Sequence, residues 1–311
     1  MSLAPIVLFV YNRPQHTKMT LEALAKNDLA SGSILYIYAD GPKQHATNDQ
    51  LSKIEETRNV IKNATGFSEV IITEAETNNG LANSIVKGVT EVVNKHGKII
   101  VLEDDLITSK GFLKYMNDAL DIYENESKVM HVSGYVYPAK LSDDTEQTFF
   151  ANILSCWGWA TWARAWKHYE HNPDVHISHF NTPEAIKKFN IEGHADYYHQ
   201  LVLNQEGKLY TWAVKWYASW LFNDGYSLFP YKSLTKNIGF DNSGTNSKGD
   251  SQFNPRLTDY VVVEKKNIQE NLYNRRAIDS FYVTAVPYLK IRVIHFLKKY
   301  GIYSKLQKLI K

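Results

Sequence analysis

The chain of 311 residues contains one cysteine, Cys156, so no disulfide can form within it, and such sparing use of cysteine fits a reducing compartment. It has no apolar run of roughly 18 residues, the length a membrane-spanning helix requires. The apolar start at residues 5–10 is too short for a secretory signal core and is ended by Tyr11-Asn12-Arg13-Pro14. Neither GxGxxG nor GxxxxGK[ST] occurs, which excludes both common glycine loops for cradling nucleotide phosphates. There is no HExxH; His176 and His179 stand either as a weak metal pair or as part of a polar insertion. The net charge of +2 is too small for nucleic-acid binding through bulk charge. These absences leave a cytoplasmic protein that must handle any phosphate by another device.

What remains is a globular composition, 44% hydrophobic and 22% charged, with heavy aromatic use: 20 Tyr, 13 Phe and 7 Trp. Short branched runs at residues 6–10, 34–39, 70–73 and 99–102 read as buried strands. Helical spacing separates them at residues 17–26, 51–63 and 81–96, the last stopped by Gly97. This β-α-β-α-β-α-β pattern demands a mainly parallel, right-handed sheet with helices on both faces. A helix over 111–123 and a strand over 129–137 follow. Residues 150–260 are dense in Trp and Tyr without a further βα repeat, and no Gly/Ser- or Pro-rich linker sets them apart. The expected organisation is one domain over 1–260, with a nucleotide-binding half at 4–130 and an acceptor-facing half at 131–260. A helical tail over 261–311 completes it.

The chemistry-bearing residues fall at strand ends. Residues 98–107, KIIVLEDDLI, run from four branched apolar residues straight into Glu103-Asp104-Asp105. Three carboxylates at the mouth of a core strand repel one another unless a cation sits there. Hard oxygen ligands suit Mg or Mn, held by Asp105 and phosphate; the alternative is a solvated turn capping the next helix. In a parallel sheet Tyr11-Asn12-Arg13, Asp40-Gly41-Pro42 and Asn78-Asn79-Gly80 come out on the same edge. Asp40 is suited to accept from a base imide and Arg13 to pair with phosphate or base; the alternatives are an ordinary Asp-Gly turn and a surface charge.

Five segments in order resemble one enzyme group: residues 7–14 (VLFVYNRP), 38–41 (YADG), 79–85 (NGLANSI), 155–162 (SCWGWATW) and 237–241 (NIGFD), together with the EDD triplet. Over residues 4–250 the chain resembles metal-dependent, nucleotide-sugar-using glycosyltransferases of the GT-A fold. The EDD form is that of N-acetylglucosaminyltransferase I and related bacterial polysaccharide glycosyltransferases. The resemblance implies an α/β, Rossmann-like fold with a UDP-sugar as donor, Mn or Mg as cofactor and a glycan or lipid-linked glycan as acceptor. By it Arg13 and Asp40 hold the uracil and ribose end, Asn83 or Ser84 lies near the nucleotide, and Asp105 ligates the metal. Glu103 and Asp104 touch ribose or sugar hydroxyls, and Gly158-Trp159 floors the sugar pocket.

Inverting transfer also needs a carboxylate base across the anomeric carbon. The relative keeps an Asp directly after a Trp in the region of Trp212, whereas this chain has Trp212-Ala213. Asp241 is then the first choice of base, followed by Asp196 and Asp224, with a plain turn role open for Asp241. Five of the seven Trp lie at helical spacing (162 and 166; 212, 216 and 220), which core packing explains; Trp159 alone is assigned to the pocket. After Asp279 the chain has no acid and mixes apolar with basic residues, either a helix lying on an anionic membrane face or a helical pair packed on the domain. Two rival functions stand beside transfer: a sugar nucleotidyltransferase, which wants a Gly-rich basic loop after the first strand, and a non-catalytic carbohydrate-binding scaffold.

Overall fold

The computed structural model describes residues 2–142, 147–241 and 251–285. The elements are, in chain order, Ile6–Val10 (β1), Pro14–Ala25 (α1), Ile34–Ala39 (β2), Asn48–Lys62 (α2), Glu69–Glu74 (β3), Leu81–His96 (α3), Lys98–Glu103 (β4) and Leu106–Thr108 (β5). There follow Phe112–Ile122 (α4), Val129–Ser133 (β6), Thr148–Ala151 (β7), Trp159–Trp162 (β8), Ala163–Trp166 (α5), Pro173–His179 (α6) and Pro183–Phe189 (α7). The last are Tyr197–Gln205 (α8), Ala213–Leu221 (α9), Tyr226–Pro230 (β9), Thr235–Asn237 (β10) and Leu272–Ala285 (α10). The second strand and third helix have the bounds the sequence gives them. α2 starts earlier than its apolar spacing suggests, because Thr47 and Gln50 form a reciprocal capping box. The strand expected over 129–137 stops at Ser133, where the Gly134 N–H turns to donate to Gly158 O at 2.7 Å.

The fold is α/β, with a Rossmann-like parallel half. β3-β2-β1-β4 run parallel in that order, and the eight-stranded sheet continues as β8-β6-β9-β7. β8 is inserted antiparallel between β4 and β6. The aromatic half thus extends the same sheet. Alternation along each strand feeds two cores. Ile6, Leu8, Ile100 and Leu102 pack with α1, α2 and α4, while Val7, Phe9, Ile99 and Val101 face α3 and the tryptophans of α9. The basic segment beyond α10 lies outside the described residues. Among the described residues, no helix is long and apolar enough to cross a membrane.

One buried polar device braces the second core. His131 of β6 is fully buried; its Nδ1 accepts from Trp216 Nε1 (3.2 Å), which leaves Nε2 to donate to Ser155 O (2.9 Å). Its ring stacks on Trp159 at 5.2 Å. Burial holds the imidazole neutral and lowers its pKa from 6.5 to about 3. As pH falls below 6.5 the unfolded chain takes up a proton that the folded chain refuses, so stability is lost with acid. The expected loss is about 2 kcal/mol by about pH 5. Burial of Glu103, which raises its pKa, acts oppositely over the same range. The check is therefore the difference in urea midpoint between wild type and His131→Gln at neutral pH and at about pH 5. That difference is expected to shrink with acid.

Candidate active site at the sheet switch point

The chain leaves β1 to one side for β2 and β3 and returns to the other side for β4. A topological switch point therefore lies between β1 and β4, and the carboxyl ends of strands at such a point form the crevice where open α/β sheets bind ligands. Arg13 follows β1 and caps α1, with Pro14 preset at the first helical position. Glu103 ends β4, and Asp104 and Asp105 follow it, across from Arg13. Arg13 Nη2 donates to Asp104 Oδ1, and Nη1 lies 3.1 Å from Asp105 Oδ2. Both aspartates are buried. Nη1 is buried and makes no well-angled hydrogen bond, so its ion pair with Asp105 leaves its donor capacity only partly used.

β5 and β10 form a small antiparallel ladder that brings the next turn onto these acids. Ile238 N donates to Asp105 O (2.8 Å), and Gly239 N to Asn237 Oδ1 (2.7 Å). A Cβ on Gly239 would fall well inside 3.0 Å of Asp105 Oδ2 and 3.0 Å from Arg13 Nη1. The partly satisfied guanidinium nitrogen and this side-chain-free cradle fit a metal-bound diphosphate: Nη1 for a phosphate oxygen, Asp105 Oδ2 for the cation. Among the described residues no three His, Cys, Asp or Glu side chains cluster as a metal cage. That is compatible with a cation held by one or two carboxylates and completed by phosphate. Gly239→Ala is expected to cost about 1–3 kcal/mol of stability by overpacking. It should also weaken Mn-dependent UDP binding about tenfold, as read by calorimetry.

The site sets three carboxylates against one guanidinium. Burial pushes the Glu103 and Asp104 carboxyls up, with repulsion from Asp105 adding to both, while Arg13 pulls both down. A residue that sequence reading missed belongs here. His16, one turn along α1 from Arg13, sets Nε2 3.2 Å from Asp241 Oδ2 and bears on Asp104. Its spacing of three from Arg13 at a helix start was the available signal. The Asp241 side chain is 49% exposed, at the mouth of the cluster.

Other expected site residues have different surroundings. Asp40 accepts four hydrogen bonds from the protein itself. Oδ1 takes Gly41 N and Asn79 N, and Oδ2 takes Asn78 Nδ2 and Gly80 N, at 2.8–3.0 Å. A carboxylate has about four lone-pair sites, so no acceptor is spare for a base. Its role here is to tie the end of β2 to the loop before α3. Gly41 permits this, since a Cβ there would strike the Thr77 backbone. Asn83 and Ser84 lie on the first turn of α3; Asn83 Oδ1 accepts from Tyr210 OH at 3.2 Å.

Two assignments are corrected. Trp159 is 1% exposed and stacks between His131 and Trp212, so it is core and does not floor a pocket. Its indole points away because neighbours alternate across β8. Asp224 is exposed in the turn before β9, in a left-handed conformation (φ 51°). The register Val132↔Leu228, Val132↔Ala160 and Ile100↔Ala160 puts the start of β9 level with the start of β4. Asp224 is therefore at the amino edge, about 20 Å from the triplet at ~3.3 Å per residue, too far to act as base. Asp196 caps α8 beside the cavity-lining Tyr197. His176 and His179 do not form a metal pair: both stack on Phe222, and His176 Nε2 is 2.9 Å from Glu170 O.

The pocket that Trp159 was meant to line exists, with a different lining. A cavity of 290 Å³ is walled by Trp157, Tyr135, Tyr197, Tyr217, Phe240 and Cys156, among others. Trp157 meets Phe240 edge-on at 5.5 Å, and Phe240 follows Gly239, so the cavity adjoins the acid cluster. The Cys156 thiol is pushed well up, first by burial and then by the charge of Glu103, the member of the triplet that bears on the cavity wall.

No family model matches the sequence, and no curated protein matches it. Among solved structures it is similar to S. aureus TarS, at 14% identity and TM-score 0.34, over 66% of this chain and 43% of that one. It is also similar to the mannosyltransferase PcManGT from Pyrobaculum calidifontis in complex with GDP-Man and Mn2+. The match has 8% identity, TM-score 0.35, and covers 71% of this chain and 69% of that one. The galactosyltransferase LgtC with donor and acceptor sugar analogs matches at 8% identity and TM-score 0.35, over 70% of each chain.

Proposed function

We propose that the protein transfers a sugar from a UDP-sugar to a carbohydrate or lipid-linked glycan acceptor, with Mn or Mg at Asp105. The observation that carries this is the pairing, at the switch point between β1 and β4, of Arg13 with Asp104 and Asp105 beside an aromatic cavity. Sugar transfer needs two adjacent compartments, a polar one for the leaving diphosphate and an aromatic one for sugar faces. Gly239-Phe240 is the partition between two such compartments. When bound, the metal supplies positive charge to the leaving diphosphate. Arg13 Nη1 adds a charged hydrogen bond to a phosphate oxygen, and Gly239 keeps Asp105 accessible. Asp40 holds the loop 78–80 that shapes the nucleotide end, and Trp157 with Tyr197 stacks a sugar ring. Asp241, oriented by His16, takes the acceptor proton in an inverting displacement. The product would enter surface-polysaccharide synthesis at the inner membrane face, where the basic segment after Asp279 contacts anionic lipid.

The test is release of UDP from a panel of UDP-sugars with Mn, with and without glycan acceptors. Acceptor-dependent release supports transfer. A scaffold reading has one observation in its favour, the Arg13 guanidinium already neutralising both aspartates. Binding of UDP without release across the panel would select it.

A further inference from the structure

Away from the acid cluster, α9 buries a lysine. Lys215 is 2% exposed, yet among the described residues its ammonium has no carboxylate and no hydrogen-bond acceptor. Its contact is the face of Tyr210, 5.2 Å from the ring centroid. A cation–π contact offsets part of the desolvation of an ammonium but satisfies none of its three donors. Burial accordingly pulls the Lys215 pKa down. A second buried donor bears on the same Tyr210. The Tyr169 hydroxyl is buried without a hydrogen-bond partner among the described residues. Its ring is fixed by stacking on Trp166 at 4.7 Å, and the nearest phenol bearing on it is Tyr210. Tyr210 itself is 57% exposed and lies over the ammonium, its hydroxyl held by Asn83 Oδ1 (3.2 Å) and His171 Nε2 (3.3 Å).

An unpaired buried cation and an unpaired buried hydroxyl each cost stability, roughly 1–3 kcal/mol for a neutral donor and more for a charge. Two such groups, both set against the one exposed ring of Tyr210, are complementary to a single oxyanion. The acid that bears on this pair is Glu170, whose charge acts on the Tyr169 hydroxyl while its carboxylate accepts from Asn172 N; among the described residues no ion pair links it to Lys215. The wall opposite is the first turn of α3, at the carboxyl edge of the sheet, where Asn83 stands.

We infer that Lys215, Tyr169 and Tyr210 form a binding site for an oxyanion, phosphate or carboxylate, carried by a substrate, with the Tyr210 ring as its cover. Lys215 gives the charge, the Tyr169 hydroxyl donates to a second oxygen, and Tyr210 moves off the ammonium as the anion enters. That the carrier is a sugar rests on the proposed transfer activity; the anion site does not. A phosphosugar and a uronic acid are the two sources the chemistry admits.

The test is calorimetry of the full chain with inorganic phosphate, glucose 1-phosphate, glucuronate and glucose as the neutral control. Wild type is expected to bind at least one of the charged probes and not glucose. Preference for glucose 1-phosphate identifies phosphate as the source, and preference for glucuronate identifies carboxylate. Lys215→Met, which keeps length and removes charge, should weaken that binding by tenfold or more. Its thermal midpoint should be equal to or above wild type, because it deletes an unpaired buried charge. Tyr169→Phe removes one oxygen and should weaken binding several-fold; it carries the test if the lysine variant does not fold. Absence of binding by wild type to every charged probe overturns the site, and so does undiminished binding in either variant. UDP binding with Mn is measured on the same samples. Phosphate binding without UDP binding defeats the transfer proposal and leaves the anion site standing.

Discussion

Asp105→Asn is expected to lower metal-dependent sugar transfer by about 10²–10³-fold, the range found when one charge-stabilising group is removed from a preorganised site. Asparagine keeps the shape beneath Gly239 and still offers Arg13 an oxygen, but it cannot hold a divalent cation as a carboxylate does. Asp105→Ala is the coarser experiment. It strips a partner from a buried guanidinium, and loss of one member of such a pair costs about 3–5 kcal/mol, so activity and folding would fall together. The asparagine variant has a further signature. The Asp105 charge pushes the Glu103 and Asp104 carboxyls up, so its removal shifts both down. Carboxyl titration followed by isotope-edited infrared spectroscopy reads that shift. Transfer at wild-type rate by Asp105→Asn would remove the metal role from this residue.

Trp159→Ala and Trp157→Ala are expected to fail in different ways. Trp159 is buried among His131, Trp212, Trp166 and Trp216, so truncation should cost about 3–5 kcal/mol and lower the urea midpoint steeply. Trp157, two residues before it, lines the cavity, and its indole meets Tyr135 at 4.5 Å and Phe240 at 5.5 Å. Its loss should leave most of the stability and raise the KM for the sugar-bearing substrates. The contrast separates pocket from core at adjacent positions of one motif. A larger stability loss from Trp157→Ala than from Trp159→Ala would reverse the assignment.

The parallel half was legible in the residues because each signal there is local. Branched runs of four to six residues, helical apolar spacing and the stop at Gly97 each mark an element without reference to anything distant, whereas the starts of α1 at Pro14 and of α2 after Thr47 were not read. The convergence of Arg13 with Asp104 and Asp105 was legible too, since parallel strands must end on one edge. The strand order 3-2-1-4, which makes those two ends neighbours, was not written in any one segment. The aromatic half resisted reading for a physical reason. Trp and Tyr serve a buried stack, a cavity wall and a helix face equally well, and only the pleat of β8 decides that Trp159 turns inward. Asp224 was misplaced because the direction of β9 depends on β8 being inserted antiparallel, a long-range fact. Asp40 was read correctly as a strand-end acid, but three of its four acceptor contacts come from a loop about forty residues away. A capping carboxylate and a base-reading one look alike in sequence.

The central claim is that the edge shared by Arg13, Asp104 and Asp105 receives a metal-bound nucleoside diphosphate. Calorimetric titration of UDP into the full chain, with Mn and then with a chelator in its place, tests it most directly. The prediction is a single saturable site with Mn that weakens by at least tenfold under chelation and disappears in Asp105→Asn. Equal binding with and without metal, or none under either condition, would contradict it.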